Sequence, residues 1–185
     1  GDVYKRQPLR VGLPVVDMVT GMNGVIGVLL ALQERQRSGL GQLVDVSLYD
    51  SGISLLHPHA GNWFMSGRTP GRSGNAHPNI YPYDSFATGT TPVFLAVGND
   101  RQFRLLCEHL GCPQLVADER FATAGQRSHH RDALKPPLEQ ALQASDGPAL
   151  ADALMAIGVP AAPVLGVDAA LNLSLIHISE PTRPL

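Results

Sequence analysis

Asp17 is the residue best placed to do chemistry. It follows the apolar run VGLPVV and precedes MVTGMNGVIGVLLAL, so it stands between an expected strand end and an expected helix start. In an open α/β sheet, ligands collect outside the carboxyl ends of the strands. A helix N-terminus favours negative charge there by about 0.3–1 kcal/mol. A carboxylate held in such a place can attack a carbonyl and split a difficult acyl exchange into easier covalent steps. The same position suits a plain N-cap that accepts hydrogen bonds from the free amides of the helix. On the residues alone both roles stay open, and they can coexist.

A second group lies in GNAHPN. Gly74 and Asn75 are turn-forming residues that expose backbone amides, and such amides can stabilise an oxyanion formed around Asp17. His77 can hydrogen-bond a substrate carboxylate. The competing reading is a structural turn with a capped histidine. Arg68 and Arg72 could bind an anionic group, or are simply solvated. His57 and His59 flank Pro58, which upsets helical spacing, and with no third ligand in view no metal site is expected. His109, His129 and His130 read as helix-surface residues, and Trp63 and Phe64 as core or dimer contacts.

These residues need elements to position them. Segment 9–16 reads as a short buried strand and 20–37 as a helix, with Met22, Val25, Ile26, Leu29 and Leu32 at helical spacing. Val28 and Leu30 extend the apolar surface almost all round, so deep burial is expected. Gly21, Gly24 and Gly27 each cost roughly 0.5–1 kcal/mol in a helix relative to alanine. Close packing, or room for a ligand, would justify them. Segment 42–48 alternates as a strand, and Asp50 is placed to cap a helix over 51–66. Strand–helix–strand–helix is the pattern of an open α/β sheet.

Segment 67–82, with three glycines and three prolines, reads as a linker or functional loop. Strands are expected over 83–87 and 93–97, then a helix over 101–110 capped by Asn99 or Asp100. Helices over 128–143 and 146–157 follow, and a last strand over 162–165. Lys135-Pro136-Pro137 interrupts the first of these two helices, which would then begin at Pro136, where first-turn proline is tolerated. The domain reading is thus 8–66 as part of a larger α/β domain, 67–82 as linker and 83–171 as a small α+β domain.

The chain has 185 residues, 44% hydrophobic and only 16% charged, with a net charge of −2. That is enough for a real core, and the low charge suggests surface buried against another chain or further sequence. There is no basic run for nucleic acid. Thr20, Asn23 and three glycines break the apolar run 18–32, so no membrane span is expected. No signal peptide is evident. Cys107 and Cys112 read as reduced thiols, which points to the cytoplasm. The ends, GDVYKRQ over 1–7 and 172–185 with SLIHISEPTRPL, fit nothing around them and resemble translated adapter sequence. They are set aside, and a larger parent protein is expected.

VGLPVVDMVTGMNGVIGVLLAL is similar to the segment that bears the catalytic aspartate in family III CoA-transferases (the CaiB/BaiF type). RSGLGQLVDVSLYDS resembles the strand and helix that follow. GNAHPNIYPY, FLAVGNDRQFRLLCEHLG, FATAGQRSHHRDAL and GVPAAPV extend the likeness in order. The resemblance implies CoA transfer between carboxylic acids, with Asp17 as nucleophile and an aspartyl-CoA thioester on the path. It implies an α/β fold: the C-terminal part of a Rossmann-like large domain, a linker and a small domain, in an interlocked homodimer. Coenzyme A and acyl-CoA are then substrates, and no metal or resident cofactor is required. Gly74, Asn75 and His77 would belong to a loop brought over the aspartate. GNAHPN favours a dicarboxylic donor such as succinyl-CoA. An acyl-CoA racemase of the same family, with the aspartate as a base, and a CoA-binding fragment without activity are the alternatives.

Overall fold

The structure, a computed structural model, describes residues 11–173. The chain divides into two compact units between Arg72 and Ser73, inside the segment 67–82. The end strings 1–7 and 174–185 lie outside the described residues.

The first unit is helical. Helix α1 runs Val15–Ser38, from Pro14 to a left-handed Gly39 whose amide closes on the Arg35 carbonyl. Arg35 and Arg37 in the last turn complement its dipole. It begins five residues earlier than expected, so the strand expected over 9–16 is absent from 11–16. The strand expected over 42–48 is also absent. An extended segment needs a neighbour to take its amides and carbonyls, and among the described residues of this unit no strand pairs. Segment 39–47 instead crosses α1 at Gly27, where Val44 packs. Gly21 and Gly24 face open space.

The helix expected over 51–66 divides into α2, Leu48–Ser54, and α3, His59–Ser66. Ser47, not Asp50, is the N-cap of α2. Ser47 Oγ accepts from the Asp50 amide and donates to its carboxylate at 2.7 Å. α2 packs on α1 through Gly52 against Val16 and through Asn23 Nδ2, which donates to the buried Ser51 Oγ at 3.2 Å.

No residue of α1 is buried, contrary to expectation: Ile26 and Leu29 are 55% and 61% exposed. The helix also continues unbroken through Thr20, Asn23 and the three glycines. It is therefore long and apolar enough to cross a membrane by length and composition, which corrects the count of interruptions.

The second unit holds the core. Strands β1, Tyr83–Phe86, β2, Val93–Ala96, and β3, Ala161–Pro163, form one antiparallel sheet in the order β1-β2-β3. Phe86 pairs with Val93, and Val93 with Pro163. Helix α4, Asp100–His109, is capped by Asn99, whose side chain accepts from the Gln102 amide. It buries Phe103, Leu106 and Cys107 on one face. Gly111 ends it in a left-handed turn, with the Cys112 amide on the Cys107 carbonyl.

After α5, Gln114–Ala117, and a 3-10 turn, Glu119–Phe121, come α6, Ala124–His129, and α7, Arg131–Leu142. α7 does not begin at Pro136: both prolines lie inside it. Leu134, Leu138 and Leu142 form its buried face. Helix α8, Gly147–Ala156, capped by Asp146, adds Leu150, Ala151 and Leu154. The short α9, Val167–Leu171, follows β3.

Candidate active site

Asp17 lies in the first turn of α1, three residues after the Pro14 N-cap. It is exposed. It is not the N-cap, which corrects the bland reading of this residue, and among the described residues no hydrogen bond or ion pair holds its carboxylate. Val11, Leu13, Pro14, Val15 and Val16 line a shallow concavity of about 280 Å³ with it. A carboxylate in the first turn of a 24-residue helix stands where the helix dipole favours negative charge.

The second unit carries Gly74, Asn75 and His77. Ser73 to Ala76 forms a tight turn closed by the Ala76 amide on the Ser73 carbonyl at 3.1 Å. Gly74 stands at φ +62°, which glycine adopts without strain. Gly74 and Asn75 are exposed. His77 is fixed on several sides. Its amide donates to the Tyr83 carbonyl at 2.8 Å, and its ring stacks on Tyr83 with centroids 5.0 Å apart. Its Nδ1 accepts from the Asn79 and Ile80 amides at 3.1 and 3.2 Å. A nitrogen that accepts carries no proton, so the neutral ring holds its proton on Nε2 as a donor. The histidine does cap the turn, as the structural reading held, and in doing so it fixes its tautomer.

Two arginines that the sequence does not single out grip this loop. Arg131 donates to the His77 carbonyl at 3.3 Å and the Pro78 carbonyl at 3.0 Å. Arg127, fully buried, donates to the Tyr81 carbonyl at 3.2 Å, the Phe121 carbonyl at 3.0 Å and Asp100 Oδ1 at 2.7 Å. It also lies 4.4 Å from the Phe103 ring centroid. Their partners are 46 to 54 residues away in sequence for the loop contacts, so no local spacing could reveal them.

Arg68 and Arg72 are exposed. His57 and His59 stand at the α2–α3 junction, and among the described residues no three potential metal ligands cluster. Trp63 and Phe64, 48% and 78% exposed, line an apolar groove with Ile53 and Leu56 instead of filling a core. Cys107 and Cys112 are both free and buried. A hydrogen bond between the two side chains, helped by burial, pushes the Cys107 thiol well above its ordinary range, so it is a poor nucleophile.

A match to the model of CoA-transferase family III covers residues 3–182, with Asp17, the Gly74 turn and both arginines inside it. The chain belongs to CoA-transferase family III. Relatives include the acetyl-CoA:oxalate CoA-transferase of Acetobacter aceti, 36% identical over 90% of this chain and 43% of that protein. The succinate–glutarate CoA-transferase of Agrobacterium fabrum is 44% identical over 68% of the chain and 31% of its own length. The succinyl-CoA:mesaconate CoA-transferase of Haloarcula marismortui is 37% identical over 94% of the chain and 43% of its own.

Among solved structures, a CaiB/BaiF family protein of Brucella suis superposes with a TM-score of 0.70 at 38% identity, over 93% of this chain and 46% of that one. A protein of Mycobacterium tuberculosis gives 0.78 at 26%, over 92% and 45%. The chain thus spans less than half the length of the family III relatives it matches. The mixed α/β build with a small antiparallel sheet agrees with these structures.

Proposed function

We propose that the protein carrying this chain transfers coenzyme A between carboxylic acids, with Asp17 as the covalent carrier. The observation that carries the reading is Asp17 itself: an exposed carboxylate at a helix N-terminus, within a segment matched by the family. The Asp17 carboxylate attacks the donor thioester carbonyl, giving a mixed anhydride and CoA thiolate. The thiolate attacks the aspartyl carbonyl, forming an aspartyl-CoA thioester and freeing the donor acid. The acceptor carboxylate then attacks the aspartyl thioester and releases the thiolate, which takes the new acyl group and restores Asp17. Each step exchanges one acyl bond for another of similar energy, so the chemistry asks for no metal and no redox cofactor.

The donor is a dicarboxylic acyl-CoA such as succinyl-CoA. The succinate–glutarate and succinyl-CoA:mesaconate relatives support this, while the acetyl-CoA:oxalate relative makes acetyl-CoA the necessary comparison. The names of these relatives favour transfer over racemisation. On this reading helix α1 is covered in an interlocked homodimer and does not enter a membrane; its place inside the family match supports this. Its bare apolar surface leads us to expect no turnover from the 185-residue chain in isolation. Acyl-CoA substrates and buried free thiols suit the cytoplasm.

The test is incubation of the full-length protein with succinyl-CoA or acetyl-CoA and a panel of acids, followed by mass spectrometry of the Asp17 peptide. CoA transfer and a peptide-bound CoA that vanishes in Asp17→Asn are expected. Transfer that survives in Asp17→Asn overturns the nucleophile. Deuterium exchange at an acyl α-carbon without transfer returns the racemase.

A further inference from the structure

We propose that Cys107 and Cys112 form a reversible oxidation site within the second unit, where hydrogen peroxide or another small hydroperoxide closes a disulfide between them. The end of α4 builds the pair. The Cys112 amide donates to the Cys107 carbonyl at 2.9 Å, and the Gly111 amide donates to the Glu108 carbonyl at 3.2 Å. With Gly111 at φ +67°, these are the two bonds of a Schellman turn, which folds the sixth residue back over the first. An apolar contact commonly fills that place, and here two free thiols fill it. Both belong to the same buried cluster, at 0% and 4% exposure.

The two sulfurs are unequal. The hydrogen bond between the side chains raises the Cys107 thiol and lowers that of Cys112. Cys107 therefore holds the shared proton, and Cys112 is the readier thiolate, which is the form that attacks. Cys112 also lies nearer to solvent. Gly111 and Pro113 on either side of it are exposed, whereas Cys107 is fully buried.

The chemistry takes two steps. The Cys112 sulfur attacks one oxygen of hydrogen peroxide, the O–O bond breaks, and the other oxygen takes a proton and leaves as water. Cys112 is then a sulfenic acid. Cys107 attacks that sulfur, the S–O bond breaks, and the oxygen leaves with the Cys107 proton as a second water. Two thiols have lost two electrons and two hydrogens, and one peroxide has become two waters. Cys107 is a poor nucleophile on its own, but contact with its target makes this step unimolecular. The disulfide takes Cys112 off the path to the irreversible sulfinic acid, and a thiol reductant restores both residues.

The experiment treats the reduced full-length protein with hydrogen peroxide at neutral pH and blocks the remaining thiols with N-ethylmaleimide. Mass spectrometry then reads the tryptic peptide 105–120, which holds both cysteines. We expect that peptide two hydrogens lighter and free of maleimide, and labelled at both cysteines after dithiothreitol. With dimedone present, Cys107→Ser should carry the adduct on Cys112. Without dimedone, its Cys112 should reach the sulfinic acid at about tenfold less peroxide than in the parent. Cys112→Ser should leave Cys107 unmodified over the same range. A parent peptide that stays fully reduced overturns the proposal, and so does sulfinic acid at Cys112 at the same dose with and without Cys107. A dimedone adduct on Cys107 in Cys112→Ser overturns the order of attack. The parent measurement needs no substitution, so it decides the disulfide even if a serine variant does not fold.

Discussion

A β-carbon added to Gly27 would stand 2.6 Å from Val44 Cγ1, so this one glycine sets how closely the extended segment 39–47 lies on α1. The obstacle is a side chain, and removing it should remove the cost. Alanine would gain up to about 1 kcal/mol of helix propensity at this position, but the overlap opposes that gain. Gly27→Ala is therefore expected to lower stability by about 1 kcal/mol. Val44→Ala in the same chain should remove the overlap and let the propensity gain show, as a coupling of up to about 2 kcal/mol in a double-mutant cycle read by urea unfolding. Simple additivity of the two substitutions would show that the contact does not decide the spacing.

Legibility in the sequence followed the range of the interactions. α4 was readable because Asn99 caps it, and α8 from its Ala- and Leu-rich run ended by Gly158 and Pro160. The hairpin of β1 and β2 was readable from two short runs around a Thr- and Gly-rich turn. Strands over 9–16 and 42–48 were not, because a strand exists by virtue of its neighbours, and α1 likewise shows its apolar surface where burial was expected. Asp17 could be singled out by type and place, and its likeness to a known catalytic segment ranked it above a cap. Arg127 and Arg131 left no trace, since each acts on carbonyls far away in the chain.

Arg127 and Asp100 should respond very unequally to substitution, although they are one ion pair at 2.7 Å. Asp100 is 52% exposed and Arg127 not at all. Water can replace Arg127 for Asp100, but nothing replaces it for the buried carbonyls of Tyr81 and Phe121, each costing about 1–3 kcal/mol when orphaned. Arg127→Ala is expected to cost about 3 kcal/mol or more by chemical denaturation, and Asp100→Asn less than about 1 kcal/mol. Equal losses would mean that the ion pair, and not the carbonyl bonds, holds Arg127.

Pro136 and Pro137 are carried inside α7 without a helical reason. Each lacks the amide that would bond four residues back, and proline costs about 3 kcal/mol relative to alanine in a helix interior. Part of that is returned by the stiffer unfolded chain, about 0.4–1 kcal/mol. Pro136→Ala, on the exposed side, is therefore expected to stabilise the protein by about 2 kcal/mol, measured as a shift in the urea midpoint at constant slope. A loss of stability would mean that a bend made by the prolines is needed for Leu134 and Leu138 to pack together.

Tyr81 supplies a pH dependence with a definite sign. Its side chain is 1% exposed, and its hydroxyl has no hydrogen-bond partner among the described residues. Burial, then the charges of Asp84 and Glu139, push its ionisation well above the ordinary value near 10. The unfolded chain thus releases this proton first as pH rises. Stability from this group is complete below about pH 10 and falls as pH climbs past it, because the unfolded state there binds fewer protons than the folded one. Tyr81→Phe removes both that decline and an orphaned hydroxyl, whose burial costs about 1–3 kcal/mol. The variant is expected to be at least as stable as the parent at pH 7 and to lose less stability between about pH 9.5 and 11, compared by urea unfolding across that range. A less stable variant at pH 7 would mean that the hydroxyl finds a partner in the assembled protein.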